Sequence, residues 1–186
     1  MLEILSVGPL LFLLLAFAVI FIAFETAKNS SEAQKKSLLV SSVCLLIVTA
    51  SWAFNFGVIR FTMLFVTLII TCVFVATNYI AAGCFEYSRR LKVLNLLFVL
   101  TYLFANLLYP DTDFANSYVF FGLINTIRYT YLKNEIITVL EKIAEAMMLA
   151  HIGLFIWQII EVCVMKSRLK KKAETVADEA EEKIEL

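Results

Sequence analysis

The sequence predicts an all-α, polytopic helical membrane protein, and three observations lead to this fold class. Hydrophobic residues make up 61% of the 186 residues, charged residues make up 17%, and the mean hydropathy is +0.86. Soluble domains are only about 45–50% apolar and about 25% charged. The apolar residues also form long runs between short polar segments, and the chain has only 5 Gly and 2 Pro. This composition excludes a collagen-like chain, a disordered chain, a disulfide-rich secreted domain and an ordinary soluble enzyme.

Five apolar runs are long enough to be transmembrane helices. The first run carries no charge over 21 positions, which corresponds to about 31 Å of helix, enough to cross the hydrocarbon core. A cleaved signal peptide is disfavoured, because Glu3 is acidic and no basic residue precedes the run. The predicted spans are 4–24, 37–58, 61–85, 93–109 and 144–165.

Residues 114–127 are apolar over only 14 positions, which favours an interfacial or re-entrant segment over a full crossing. Counting this segment as a crossing gives six spans, and placing one of the five spans in the interface gives four. From Asn134 the pattern is that of an amphipathic helix that runs without a breaker into the last span. We therefore expect one long helix whose beginning stands out of the membrane.

Residues 166–186 form a charged tail with a change of sign along its length. Five basic residues directly follow the last span, and a run of acidic residues comes next. Its composition favours a short cytoplasmic C-terminal helix, with a thin apolar stripe at Leu169, Ala173, Val176, Ala180 and Ile184. Two interpretations remain open: a solvated tail that frays, or a helix that docks a cytoplasmic protein or forms a short coiled-coil contact between protomers. The residues expected to contact a partner or anionic lipid are Lys166, Arg168, Lys170, Lys171, Lys172, Glu174, Asp178 and Glu181.

The distribution of basic residues predicts the orientation. With five spans and the N-terminus outside, eleven Lys and Arg lie in inside loops and four in outside loops, leaving Lys183 aside. The positive-inside rule thus places the N-terminus outside and the C-terminus in the cytoplasm. We expect an integral protein of the bacterial inner membrane.

Polar residues within the spans recur at helical spacing and define candidate intramembrane faces. Thr67, Thr71 and Asn78 share one face of the third span, and Asn95, Tyr102 and Asn106 share one face of the fourth. Two interpretations remain open: hydrogen bonds between helices, each contributing about 0.6–2 kcal/mol, or the lining of a solute path.

The last span carries the polar stripe His151, Gln158 and Glu161, which lies within an arc of about 80°. An ionisable residue within a span is a functional hypothesis by default, and His151 is the only histidine. A role in proton movement or ligand binding competes with simple helix packing. Glu161 lies close enough to the end of the span to reach water or to pair with Lys166 or Arg168.

No pattern indicates an enzyme, a cofactor or a metal. The four cysteines have no Cys-x-x-Cys spacing, and no phosphate-binding loop or hydrolase motif occurs. We therefore expect no catalytic residue, no metal and no cofactor, and the balanced net charge of +0 gives no indication of direct nucleic-acid binding.

Two functions are compatible with these observations. The first is a non-enzymatic membrane subunit, homo-oligomeric in the bilayer, that anchors, senses for or recruits a cytoplasmic partner through its tail. Bacterial immunity proteins and membrane components of phage-defence systems have a similar build. The alternative is a small channel or transporter subunit that passes an ion or solute along its polar faces. A lipid-modifying enzyme has the weakest support.

Overall fold

The computed structural model describes residues 2–54, 60, 62–112, 116–119, 124–127 and 131–182. These residues form five long helices: α1 (Leu2–Ala27), α2 (Glu32–Phe54), α3 (Leu64–Ala82), α4 (Arg89–Leu108) and α5 (Tyr131–Glu182). Four of them, α2 to α5, contain segments that are long and apolar enough to cross a membrane. The predicted fold class, a helical membrane protein, is confirmed.

The helices correspond to the predicted spans, except that α5 extends beyond its span at both ends. The predicted spans 37–58, 61–85, 93–109 and 144–165 fall on α2, α3, α4 and α5, although residues 55–59 lie outside the described part of the chain. The span 4–24 lies within α1, whose apolar part with described side chains is Leu13–Ala27. The predicted C-terminal helix is not a separate element, because α5 continues through the tail without a break to Glu182.

Serine residues begin two of the helices. Ser31 precedes α2 and forms a capping box with Gln34: the Ser31 amide donates to Gln34 Oε1 at 3.1 Å, and the Gln34 amide donates to Ser31 Oγ at 3.3 Å. Ser88 accepts from the Leu91 amide at 3.2 Å at the start of α4. α4 ends at Leu108, two residues before Pro110, which cannot supply an amide hydrogen.

A small antiparallel sheet follows α4. It consists of β1 (Asp111–Thr112), β2 (Asn116–Val119) and β3 (Ile124–Ile127), in the order β1-β2-β3. Asn116 is opposite Ile127, and Val119 is opposite Ile124. The sequence analysis predicted no strand here, and the interfacial or re-entrant position of 114–127 stays a prediction.

The bundle has two ends, which we name after their arginines. The Arg89 end holds the α1–α2 and α3–α4 connections, where Ser30 Oγ lies 2.7 Å from Tyr79 Oη. The Arg60 end holds Arg60 and the start of the sheet. Between them lies a core that includes Leu38, Val48, Phe74, Phe98 and Tyr102. Helix α2 packs against α1, α3 and α4, while α5 packs mainly along α4.

A seven-residue repeat joins α4 and α5. The buried residues of α5 include Ile137, Ala144, His151, Gln158 and Met165, each seven residues after the last. The facing residues of α4 follow alternate steps of four and three: Leu91, Asn95, Phe98, Tyr102 and Ala105. This is the spacing of a coiled-coil seam. The next position of the repeat on α5 is Lys172, so the seam ends at Met165.

Helix α5 is much longer than the bundle. Its 52 residues span about 78 Å, against about 30 Å for the hydrocarbon core. The part beyond Met165, which we call the arm, comprises residues 166–182 and is about 26 Å long. The protein therefore carries a helix that packs along α4 on one side of the bundle and extends well beyond its Arg89 end.

Candidate functional site: the buried polar contacts of the bundle

His151 is buried against α4 in a defined orientation. Its ring stacks on Phe98, with ring centroids 4.1 Å apart and planes 9° from parallel. Its Nδ1 lies 3.1 Å from the Phe98 carbonyl oxygen and 3.2 Å from Thr101 Oγ1. Because a carbonyl only accepts, Nδ1 carries the hydrogen and donates it. Stacking and hydrogen bonding together hold the imidazole as part of the α4–α5 seam.

Asn95 and Gln158 join the same two helices one seven-residue repeat, about two helical turns, closer to the Arg89 end. Gln158 Nε2 donates to Asn95 Oδ1 at 2.7 Å. Gln158 is fully buried and Asn95 is 8% exposed. The sequence analysis placed both residues on polar faces, and the structure brings the two faces together.

Thr71 and Tyr102 connect α3 to α4. Their hydroxyl oxygens lie 2.8 Å apart, and the Tyr102 ring stacks on Phe74 with centroids 3.9 Å apart. Phe74, Phe98 and Tyr102 are all less than 2% exposed. These aromatic rings fill the centre of the bundle at the level of the predicted polar faces.

Asn78 makes local and inter-helix contacts. Its Nδ2 donates to the Phe74 carbonyl at 2.9 Å, and its backbone carbonyl accepts from Ser37 Oγ at 3.0 Å. Three buried side-chain oxygens in the described part of the chain have no hydrogen-bond partner: Ser41 Oγ, Asn78 Oδ1 and Gln158 Oε1. Such atoms are uncommon in native interiors, and each calls for an explanation.

The remaining predicted residues are not part of these inter-helix pairs. Asn106 Nδ2 donates within α4 to the Tyr102 carbonyl at 2.9 Å. Thr67 is half-buried and lines a small cavity beside Arg60 and Tyr109. Glu161 is half-buried on the opposite half of the protein, where it shares a groove with Arg89 and Arg90. Its suggested pairing with Lys166 or Arg168 does not occur among the described ion pairs.

A buried cluster around Arg60 is the main feature that sequence analysis missed. Arg60 is 3% exposed and Asp111 is fully buried. Arg60 Nε lies 3.8 Å from Asp111 Oδ2, which also accepts from the Arg60 backbone amide at 3.2 Å. The guanidinium carbon lies 5.4 Å from the centre of the Trp52 ring, within the range of a cation–π contact.

The Arg60 guanidinium also satisfies carbonyl groups at the ends of two helices. It donates to the carbonyls of Ser51 at 3.0 Å, Asn106 at 3.3 Å and Tyr109 at 3.0 Å. The Asn106 carbonyl would normally accept from the residue four positions on, but that residue is Pro110, which has no amide hydrogen. Arg60 thus replaces a missing backbone hydrogen bond.

Charge and burial shift two pKa values in this region. Burial lowers the pKa of Arg60 to about 10, and nearby Asp111 opposes that shift, so the group stays cationic at neutral pH. Burial, assisted by Glu141 and Glu145 of α5 and by Asp111, raises the pKa of the Tyr109 phenol. The signal for this cluster in the sequence was a lone arginine between two spans and an aspartate directly after Tyr-Pro.

The predicted contact residues of the tail lie on the arm. Lys166, Arg168, Lys170, Lys171, Lys172 and Glu174 are exposed. Asp178 and Glu181 belong to the helix, but their side chains lie outside the described part of the structure. Lys170 Nζ and Glu174 Oε1 form an exposed i,i+4 pair at 3.8 Å, and Thr175 Oγ1 donates to the Lys171 carbonyl at 3.0 Å.

Comparison with known proteins gives no family for this arrangement. Within the described residues, no group of three His, Cys, Asp or Glu side chains is placed to hold a metal ion. The chain matches no protein-family model, no curated protein and no solved structure.

Proposed function

We propose that this chain is a non-enzymatic membrane subunit that recruits a cytoplasmic protein through the arm. The observation that supports this proposal is the continuity of α5, which runs as one helix from the bundle into the arm. The α5 residues Ile137, Ala144, His151, Gln158 and Met165 are buried in the seam at seven-residue intervals, and the charged side chains of the arm from Lys166 to Glu174 are exposed. A partner bound to the arm would be mechanically connected to α4.

The charge pattern of the arm favours a different protein over a second arm as its partner. Arms of protomers in one membrane would lie parallel, so basic residues 166–172 would face basic residues and acidic residues 174–185 would face acidic ones. Like charges at facing positions destabilise parallel helix pairs. The charges of the arm are complemented by an antiparallel helix with the same order of charges. They are also complemented by a protein surface that is acidic beside residues 166–172 and basic beside residues 174–185.

The proposed membrane is the bacterial inner membrane, with the N-terminus outside and the arm in the cytoplasm. The Arg89 end carries three groups of basic residues: those of the α1–α2 connection, those of the α3–α4 connection and those at the start of the arm. The positive-inside rule favours that end as the cytoplasmic one. A membrane component of a bacterial immunity or phage-defence system fits this build.

The outer surface of α5 supports the proposal of a homo-oligomer. Only 17% of the most apolar stretch of α5 is buried, against 39–44% of the corresponding stretches in the other three candidate spans. Its exposed face carries the small residues Ala146, Ala150 and Gly153 at spacings of four and three. Small residues at such spacing let transmembrane helices approach closely.

The experiment that tests recruitment changes the rotational phase of the arm. Inserting two alanines after Lys166 rotates the rest of the arm by about 200°, whereas inserting seven alanines restores its phase to within about 20°. A photo-crosslinking amino acid at Thr175 reports the protein bound there, identified by mass spectrometry in the native host. We expect one soluble partner in the wild type and the seven-alanine variant, and loss of that partner in the two-alanine variant.

A chain ending at Lys166 controls for insertion of the bundle. Absence of any specific crosslink in the wild type, or the same crosslink in both insertion variants, contradicts the proposal.

A channel or transporter subunit is the second candidate, and one observation favours it. Ser41 Oγ, Asn78 Oδ1 and Gln158 Oε1 are buried acceptors without protein partners, and such atoms can bind water or a polar solute. The fully buried rings of Phe74, Phe98 and Tyr102 occupy the centre of the same bundle. Flux through proteoliposomes that is reduced by Asn78→Leu, but not by truncation at Lys166, would favour transport over recruitment.

A further inference from the structure

A groove between α4 and α5 combines charged groups at its rim with apolar walls below. It lies at the Arg89 end, has a volume of about 720 Å³ and is open to the surroundings. Arg89, Arg90 and Glu161 contribute its charges, while Val93, Leu97 and Trp157 contribute to its walls. Its volume lies within the range of about 300–1,000 Å³ that is typical of small-molecule sites.

The charges of the groove are not used by the protein itself. Arg89 and Arg90 are exposed and Glu161 is half-buried. None of these three side chains takes part in an ion pair with another described residue. The groove therefore presents two guanidinium groups and one carboxylate that are available to a ligand with charges of both signs.

The depth of the groove matches the path of a lipid from headgroup to acyl chain. Arg89 and Arg90 begin α4, and Leu97 lies about 12 Å further along the helix axis. On α5, Trp157 lies about 6 Å deeper than Glu161 and is 58% exposed. Tryptophan is enriched at the level where headgroups meet acyl chains. With Trp157 at this level, the charged rim would lie at headgroup depth and the apolar walls at acyl-chain depth.

We propose that this groove binds an aminophospholipid, with its phosphate at Arg89 and Arg90 and its ammonium at Glu161. Guanidinium groups form strong hydrogen bonds with phosphate oxygens, and a carboxylate accepts hydrogen bonds from a primary ammonium. Phosphatidylethanolamine supplies both charges and an acyl chain for the apolar walls. Phosphatidylglycerol has no ammonium, and the quaternary ammonium of phosphatidylcholine has no hydrogen to donate.

The test uses tryptophan quenching by brominated lipids. The full-length protein is placed in phosphatidylcholine nanodiscs with equal mole fractions of brominated phosphatidylethanolamine, phosphatidylglycerol or phosphatidylcholine. Trp157 lines the groove, while Trp52 is 4% exposed at the Arg60 end. We expect the strongest quenching with phosphatidylethanolamine, and Trp157→Phe should remove this lipid-dependent component.

Charge variants separate the two halves of the headgroup. Arg89→Gln and Arg90→Gln should each lower the affinity for anionic phosphatidylglycerol relative to phosphatidylcholine about fivefold. They should leave the preference for phosphatidylethanolamine over phosphatidylcholine in place, because both lipids carry the same phosphate. Glu161→Gln should remove the preference for phosphatidylethanolamine over phosphatidylcholine without lowering the binding of phosphatidylglycerol. Lys28→Gln removes a positive charge at the same end, outside the groove, where Lys28 pairs with Glu25. Lys28→Gln should leave the quenching by all three brominated lipids unchanged.

Equal quenching by phosphatidylethanolamine and phosphatidylcholine in the wild type overturns the proposal. So does stronger quenching by phosphatidylglycerol, or a preference for phosphatidylethanolamine that survives Glu161→Gln. Because the altered side chains are exposed or half-buried, the variants should keep the fold, which a thermal unfolding curve of each variant checks.

Discussion

Asp111 Oδ2 lies 3.2 Å from the backbone nitrogen of Arg60 and 3.8 Å from its Nε, and both residues are almost completely buried. One carboxylate therefore fixes both the backbone and the side chain of the arginine. The arginine in turn holds carbonyl groups at the ends of α2 and α4. This cluster fastens the start of the sheet to the bundle.

Removing either charge of this pair should destabilise the protein, and Arg60 should matter more. Arg60→Met removes the opposite charge from the buried Asp111 carboxylate and the guanidinium that donates to three carbonyls, and removing one member of a buried pair typically costs about 3–5 kcal/mol. Asp111→Asn keeps an oxygen that accepts from the Arg60 amide, so its cost should be smaller. Thermal unfolding in mild detergent measures both. A smaller loss for Arg60→Met than for Asp111→Asn would contradict this account.

Replacing His151 distinguishes packing from proton chemistry. His151→Phe preserves an aromatic ring that stacks on Phe98 but loses the hydrogen bond, so the free energy of unfolding should fall by about 0.5–1.5 kcal/mol. His151→Ala also leaves a cavity in the seam and should cost about 2–5 kcal/mol. Unfolding curves give both values. Equal losses for the two variants would show that the ring does not pack as described, and loss of function in His151→Phe at unchanged stability would indicate a chemical role.

Asn95 and Gln158 should show measurable coupling in a double-mutant cycle. Asn95→Leu or Gln158→Leu alone leaves a buried amide without its partner, whereas the double variant removes both polar groups. We expect a coupling free energy of about 0.6–1.7 kcal/mol, the range for hydrogen bonds between membrane helices. Unfolding free energies of the four proteins give this value. Strict additivity would mean that the 2.7 Å contact contributes nothing to stability.

Gly153→Leu tests the proposed oligomer surface without disturbing the protomer. A Cβ atom at Gly153 would meet no atom within 4 Å, so a larger side chain fits within the single chain. Since bulky residues block the close approach of helices, we expect a shift from oligomer to monomer. Mass photometry in nanodiscs measures this shift. Ala18→Leu, an exposed position on α1, is the matched control, and the same mass distribution for wild type and Gly153→Leu would argue against this interface.

Periodicity in the sequence predicts which residues face other helices but not which residues they meet. Asn95 with Tyr102, and His151 with Gln158, are each seven residues apart, so both polar faces were visible. Their pairing across the α4–α5 seam depends on register, which is set by the packing of residues such as Phe98 and Met165. The full repeat from Ile137 to Met165 was also present in the sequence, although its apolar members do not stand out in a run that is mostly apolar.

Contacts between residues far apart in the sequence were not predictable. Arg60 and Asp111 are 51 residues apart, and each is ordinary in its local context: a charge between spans and an aspartate in a turn. The short strands β2 and β3 also went unpredicted, because each has only 4 residues and their stability depends on the partner strand. The tail was predicted as a short helix of its own from its helix propensity. In the structure it continues α5, because no glycine or proline interrupts the chain between the last span and the tail.

The unbroken path of α5 gives the molecule the properties of a lever. Its fulcrum is Met165, the buried residue at the end of the seam, and its free end lies about 26 Å beyond that residue. A tilt of about 10° at the seam moves that end sideways by about 4–5 Å, close to one helical turn. Small rearrangements among the aromatic rings inside the bilayer would therefore be amplified into displacements large enough for a protein outside it to detect.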